Sequence, residues 1–488
     1  MRTYLKQIIN HFKKDKSLFL ALLFVVGVLA LRLYKMDGFA TFLGDQGRDA
    51  IIIKRIATLE HLTAIGPITS VGQIFLGPFY YYFVAPWLLL FKFNPLGLAI
   101  GVAVTSSVLL FWIYLFTAEL FSKKLAWFII ITSGVATALY SFARFSWNPN
   151  LLPYVAFLVV LSTQHLFKTK KNISAIVLGV LLSIAVQLHY IALILLPPVI
   201  LIFTFYFFFE KKKVKEILNL AFITGISFTV VSSPLIMFDL RHGFLNLKNF
   251  LKLFTQTGTV NGGKWEEFLS VFQALNKFIF NVDLNKTLPV VLLIVLFSLL
   301  LWALKKNRQY SLISLFFIFI LTGLSLYGGP KYSHYMGSVY IYYLAVIGIM
   351  ILSLPKKITP VIMGIFLILF SYISVQHYDF LRGDPNYQIR HAKRITESMF
   401  LNIHVKKFQI TSLPERYSDY SYRYFLEVAG KKPLEKDTLE KADELFVLCE
   451  GRCDLIIGNP TWDIAFFAPR KITKQWVVEN VTIYKLTR

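Results

Sequence analysis

Long apolar runs separated by short polar stretches fill the first three quarters of the chain. A helix that crosses the hydrocarbon core needs about 20 mostly apolar residues. The runs at 18–34, 97–121, 125–143, 151–167, 173–188, 190–209, 217–237, 288–304, 310–327, 336–354 and 358–376 therefore predict about eleven spanning helices. A further run, 75–91, is near the lower length limit and carries Pro78 and Pro86. The basic clusters decide how it lies: Lys13/Lys14/Lys16, Lys123/Lys124, Lys168/Lys170/Lys171, Lys211/Lys212/Lys213/Lys215, Lys305/Lys306/Arg308 and Lys356/Lys357. Lys and Arg collect in cytoplasmic loops. If 75–91 stays in the outer interface, all the clusters share the cytoplasmic side; if it crosses, the first lies opposite the rest. The expectation is an interfacial segment whose Tyr80, Tyr81, Tyr82 and Trp87 sit at headgroup level, with the N-terminus cytoplasmic and the C-terminus outside.

After residue 376 the apolar runs shorten and the pattern changes. Residues 386–403 read as a helix, 408–413 and 444–449 as short strands, and 474–486 as a strand or hairpin. This predicts a small exported α/β domain over 377–488 beside a membrane domain over 1–376. Between Asp239 and Thr287 an amphipathic pattern around Trp265–Phe280 predicts one or two helices lying on the outer face. The fold class expected is mostly α: a polytopic membrane protein with outer-face interfacial helices and that C-terminal domain. The basic stretch before residue 18 is followed by no small-residue cleavage site, so the first run is read as a retained helix.

Composition narrows the class. At 56% hydrophobic and 16% charged residues, the chain is too apolar for an ordinary soluble globule. The net charge of +24 sits mostly in clusters between spans, which favours topogenic signals and anionic headgroups over nucleic acid. Cys449 and Cys453 allow one small-loop disulfide if exported, or two free thiols. The stretch 258–264 fits the start of a phosphate-binding loop, but Trp265 replaces the required Ser/Thr and no strand precedes it, so it is read as a glycine turn.

With that topology the motif-like polar loops all fall on the outer face: 45–49, 144–150, 187–190, 239–242 and 328–335. Asp45 and Asp49 stand near the start of a helix suggested by 50–57. Carboxylates there cap a helix and suit its positive end. An Asp with its ordinary pKa of about 3.9 is also ionised at neutral pH and accepts a proton from a hydroxyl held within reach.

The stretch Gly44-Asp-Gln-Gly-Arg-Asp-Ala50, followed by Lys54-Arg55-Ile56, resembles the first outer loop of protein O-mannosyltransferase-like membrane glycosyltransferases of the GT-C class, the bacterial family 39 type. Gly77-Pro78-Phe-Tyr-Tyr-Tyr82 stands where that family has a His-Pro-Pro segment and aromatics, and 144–150 and 332–335 are similar to outer-loop segments of bacterial members. The likeness covers about residues 18–376. It implies Asp45 as the catalytic Asp, with Asp49 second; Gln46 departs from the usual Glu. It also implies a polyprenyl-phosphate sugar donor, whose phosphate leaves without a general acid, so that the protein must supply a base and positive charge. Candidate donor-binding residues are Lys331, His334, Arg241, His242, Arg144 and His189, with Tyr81, Trp147, Asn148 and Tyr332 beside them. Each also serves as an interfacial anchor or belt residue. No cofactor is called for, and the few oxygen ligands favour metal independence. The acceptor, whether protein, lipid or envelope glycan, stays open.

Two other classes compete. A transporter or flippase places ionisable groups at mid-depth and shows repeated halves, whereas here Arg32, Asp239 and Glu119 lie near span ends. A non-enzymatic scaffold for the C-terminal domain leaves the polar loops without a role.

Overall fold

The computed structural model describes residues 15–69, 72–210, 213–256, 263–285, 287–414, 418–436, 438–453 and 455–488. The glycine turn at 258–262 and the basic residues Lys13, Lys14, Lys211 and Lys212 lie outside them. The helices in order are α1 (Lys16–Leu33), α2 (Gly44–Ala57), α3 (Phe79–Leu90), α4 (Leu96–Leu120), α5 (Lys123–Val135), α6 (Thr137–Phe142), α7 (Leu152–Thr169), α8 (Asn172–Leu188), α9 (Leu196–Phe209) and α10 (Val214–Arg241). There follow α11 (Leu245–Gln256), α12 (Lys264–Phe280), α13 (Leu288–Lys306), α14 (Ser311–Ser325), α15 (Tyr340–Ser353), α16 (Thr359–Val375), α17 (Gln388–Phe400), α18 (Tyr420–Val428) and α19 (Trp462–Phe467).

Every apolar run is helical, and the protein is a multi-pass membrane protein. Among the described residues, seven helical stretches have the length and hydropathy to cross a membrane: Lys16–Leu33, Leu96–Leu120, Asn148–Thr169, Tyr190–Phe209, Val214–Arg241, Leu288–Lys306 and Arg308–Ser325. Helices α8, α15 and α16 are shorter apolar ones. The run 125–143 is two helices and not one, because Ala136 leaves the helical region with ψ 127°. The surrounding Thr132-Ser-Gly-Val-Ala-Thr137 holds mostly weak helix formers. Helix α3, with 12 residues, is about 18 Å long at 1.5 Å per residue, short of the hydrocarbon core.

Helix α12 differs from a helix lying on a surface. Val271, Leu275 and Ile279 repeat every fourth residue and are buried with Phe272 against the bundle. Asn276 accepts a 3.0 Å hydrogen bond from Tyr343 of α15.

The C-terminal region holds a four-stranded sheet of order β1-β2-β4-β3, with β1 at Phe408–Leu413, β2 at Glu444–Glu450, β3 at Lys471–Val478 and β4 at Val481–Thr487. β1 and β2 run parallel, pairing Phe408 with Glu444 and Leu413 with Cys449. Both are buried along their length, as parallel strands covered on two faces are. β3 and β4 form a hairpin through Glu479 and Asn480, whose φ values of 51° and 68° are those of a two-residue primed turn. Cys449 and Cys453 are joined in a disulfide.

Candidate functional site

Helix α2 opens with half of a capping box: the Leu43 N–H donates to Gln46 Oε1 at 3.1 Å, while the Leu43 side chain has no acceptor to return the bond. Gln performs this as well as Glu does, which accounts for the residue at 46. Asp45 stands in the first turn with its side chain about half exposed and pairs with Arg48 at 3.1 Å. Asp49, one turn on, is buried. Its Oδ1 accepts from Arg48 Nε (3.0 Å) and Nη2 (2.9 Å) and from the Tyr81 hydroxyl (2.8 Å). Its Oδ2 is buried without a partner among the described residues. Burial pushes the Asp49 carboxyl above the usual range, against the pull of the Arg48 charge. Arg48 thus holds both carboxylates. Its spacing of three from Asp45 is the signal that sequence reading passed over.

Helix α3 binds this pair to the rest of the bundle. Tyr80 and Tyr81 are 1% exposed, so their rings pack inside the protein and do not present the exposed aromatic face expected of an interfacial belt. Buried phenols need internal partners, and Tyr80 finds Ser146 Oγ at 2.8 Å while Tyr81 finds Asp49. Tyr82 stays exposed and donates to the Thr63 carbonyl at 2.9 Å. The Phe79 N–H donates to Gln187 Oε1 at 3.2 Å.

Ser146 leads into a second group. The Trp147 and His334 rings are 4.7 Å apart; His189 lies 5.7 Å from His334 and 5.2 Å from Tyr335, and Tyr332 stacks on His334. Asn148 braces the group by donating to the Leu188 carbonyl at 2.6 Å. Burial lowers His334 to about 4 and His189 to about 3, the latter with help from His334. Both rings are therefore neutral near pH 7 and act as aromatic and hydrogen-bonding groups, not as cations.

Two further candidates face inward. The Lys331 ammonium pairs with Glu267 at 2.8 Å, bonds the Tyr327 carbonyl and lies over the Tyr327 ring. Arg144 is buried; it donates to Asp379 at 2.9 Å and to the carbonyls of Arg32 (2.6 Å) and Tyr34 (2.9 Å), which ties the end of α1 to the chain after α16. Arg241 and His242 are exposed at the end of α10. They line a cleft of about 530 Å³ whose walls include Phe79, Pro234, Met237 and Phe238. A cavity of about 300 Å³ beside it is lined by Arg48, Arg55, His61, Phe75 and Tyr81, and Thr63 borders both. Among the described residues no group of three His, Cys, Asp or Glu is placed to hold a metal ion.

The C-terminal domain sits on α2. Arg55 Nε and Nη2 donate to Glu427 Oε1 and Oε2 of α18 at 2.9 and 2.8 Å, and Nη2 also reaches Glu435 at 2.9 Å. Gly47 lies so close to this domain that a Cβ on it would meet Ser421 N and Tyr420 C at 2.5 Å. Neither contact had a local signature in the sequence.

No family model and no curated protein matches the chain at the level of sequence. Its architecture is similar to that of solved structures. ArnT from Cupriavidus metallidurans bound to undecaprenyl phosphate superposes with a TM-score of 0.60 at 11% identity, covering 96% of this chain and 97% of that one. The apo form of the same protein gives 0.59 at 12%, covering 95% and 97%. The archaeal oligosaccharyltransferase AglB from Archaeoglobus fulgidus, in complex with an inhibitory peptide and a dolichol-phosphate, gives 0.50 at 12%, covering 89% and 70%. The chain has the fold of the GT-C class of membrane glycosyltransferases.

Proposed function

We propose that this protein transfers a sugar from a polyprenyl-phosphate carrier to an acceptor hydroxyl, with Asp45 as the general base. The observation that carries the reading is the adjacency of two spaces. One is an apolar cleft with Arg241 and His242 at its rim; the other reaches Arg48 and Tyr81, which hold Asp49. A long isoprenoid suits the first, and its phosphate suits Arg241 there. Two structural neighbours, ArnT and AglB, are described with undecaprenyl phosphate and dolichol-phosphate, which supports this carrier class.

In the reaction the acceptor oxygen bonds to the anomeric carbon as the bond from that carbon to the phosphate oxygen breaks. The acceptor proton goes to the exposed Asp45 carboxylate, and the polyprenyl phosphate departs as an anion that needs positive charge and no proton. Asp49, buried and bonded to Arg48, fixes the arginine that faces Asp45. The aromatic group of Trp147, Tyr332 and His334 offers faces for a sugar. On this reading residues 1–376 form the catalytic membrane domain and 377–488 an extracytoplasmic one. The Cys449–Cys453 disulfide favours an oxidising compartment for the domain seated on α2.

Purified protein offered a panel of polyprenyl-phosphate sugars and acceptors is expected to yield a glycosylated product by mass spectrometry. Counterflow of a labelled solute in liposomes, with no product from any donor, would replace this reading with a transporter.

A further inference from the structure

The end of the bundle away from Asp45 carries a further cavity with a cation at its mouth. Helices α7 and α9 begin at the Asn148 and Tyr190 turns of the site and run away from it, and α14 begins at the far end with the turn Arg308–Tyr310. Where these three meet lies a cavity of about 350 Å³. Its walls are apolar, with Phe205, Leu312 and Leu315, and Phe205 is half exposed on the face of an apolar span. Arg308 and Gln309, both exposed, and the half-buried Gln164 supply polar groups to the lining.

The charge at that mouth is uncompensated. Among the described residues no carboxylate lines the cavity. The nearby acid Glu210 is already paired with Lys170, which lies over the Tyr206 ring on the cavity wall. The arginines lining the cavity beside α2 are neutralised, Arg48 by Asp45 and Asp49 and Arg55 by Glu427 and Glu435. Among the described residues the Arg308 guanidinium has no acidic partner, and the side-chain amides of Gln164 and Gln309 donate to no protein acceptor. Three donors around an apolar slot are the complement of a phosphate carrying apolar chains. A basic pocket between spanning helices is the form that anionic headgroup sites take.

From this we infer that the cavity is a site for a two-chain anionic phospholipid, with its phosphate on Arg308 and an acyl chain against Phe205, Leu312 and Leu315. The site stands apart from the sugar-transfer reading and survives its failure.

Native mass spectrometry of the full-length protein in detergent, titrated with phosphatidylglycerol or phosphatidylcholine, tests it. Phosphatidylglycerol is expected to bind in preference. Arg308→Gln should weaken that binding roughly fivefold, the weight of one basic charge at an anionic surface, while Arg308→Lys restores it and phosphatidylcholine binding does not change. Leu312→Trp fills the slot with Arg308 in place and should lower phosphatidylglycerol binding as well, which keeps the test open should Arg308→Gln fail to purify. Equal binding of the two lipids, or phosphatidylglycerol binding that neither variant lowers, overturns the proposal. Polyprenyl phosphate binding that falls in Arg308→Gln and not in Arg241→Gln also overturns it, by assigning the slot to the carrier.

Discussion

Replacing Glu427 by Gln should loosen the helix that carries Asp45 and Asp49 without touching either carboxylate. Glu427 is buried and takes two bonds from Arg55, at 2.9 and 2.8 Å, with Lys54 at 3.5 Å. Gln keeps the shape but loses the charge and one acceptor. Hydrogen bonds to charged groups are worth roughly 1.5–3 kcal/mol each. Part of the loss is recovered, because Arg55 retains Glu435 at 2.9 Å and Lys54 retains Glu60 at 2.6 Å. The expected cost is therefore near the value of one such bond, about 2 kcal/mol, which is roughly thirtyfold in a local opening constant. Amide hydrogen exchange followed by mass spectrometry reads this directly: protection over α2 should fall roughly thirtyfold, while that of the buried helix α7 stays as it was. Unchanged protection over α2 would show that the C-terminal domain does not hold the helix and would refute the clamp.

Gly47→Ala puts a methyl against the backbone of Tyr420 and Ser421, which cannot swing aside; overpacking of about 1–3 kcal/mol should speed exchange over both α2 and α18. Tyr81→Phe removes one of the donors to Asp49 Oδ1, and turnover should drop roughly fivefold, for about 1 kcal/mol, with expression unchanged. The lowered His189 and His334, at about 3 and 4 against 6.5, fix a pH dependence. Below pH 6.5 the unfolded chain takes up these protons first, so stability is full above that value and declines as the pH falls toward 4. His334→Gln should flatten the acid limb of a plot of unfolding temperature against pH, and an identical limb would show that His334 does not titrate in this way.

The spans were legible because hydropathy over a window needs no tertiary knowledge. The same holds for β1 and β2, whose apolar runs match the observed strands nearly residue for residue. What the pattern lacked was long-range pairing. Helix α18 buries Arg423 and Glu427, charged residues whose burial depends on Asp419, Gln409 and the distant Arg55. Tyr80 and Tyr81 looked interfacial because their partners Ser146 and Asp49 lie 66 and 32 positions away. Lys331 looked free for the same reason, since Glu267 neutralises it from α12. Asp45 and Asp49 were legible as a helix-start pair, because a spacing of four needs only local geometry; their division into an exposed and a buried carboxylate came from Tyr81 and Arg48.

The most direct measurement is turnover of Asp45→Asn in the purified full-length protein, with a lipid-phosphate sugar that the wild type consumes. Loss of a general base should lower transfer by about 10²–10⁴-fold. Exchange protection over α2 should hold, since Asp45 is half exposed and among the described residues pairs only with Arg48. Wild-type turnover in Asp45→Asn, with Asp49→Asn inactive, would contradict the assignment and move the base one turn along the helix.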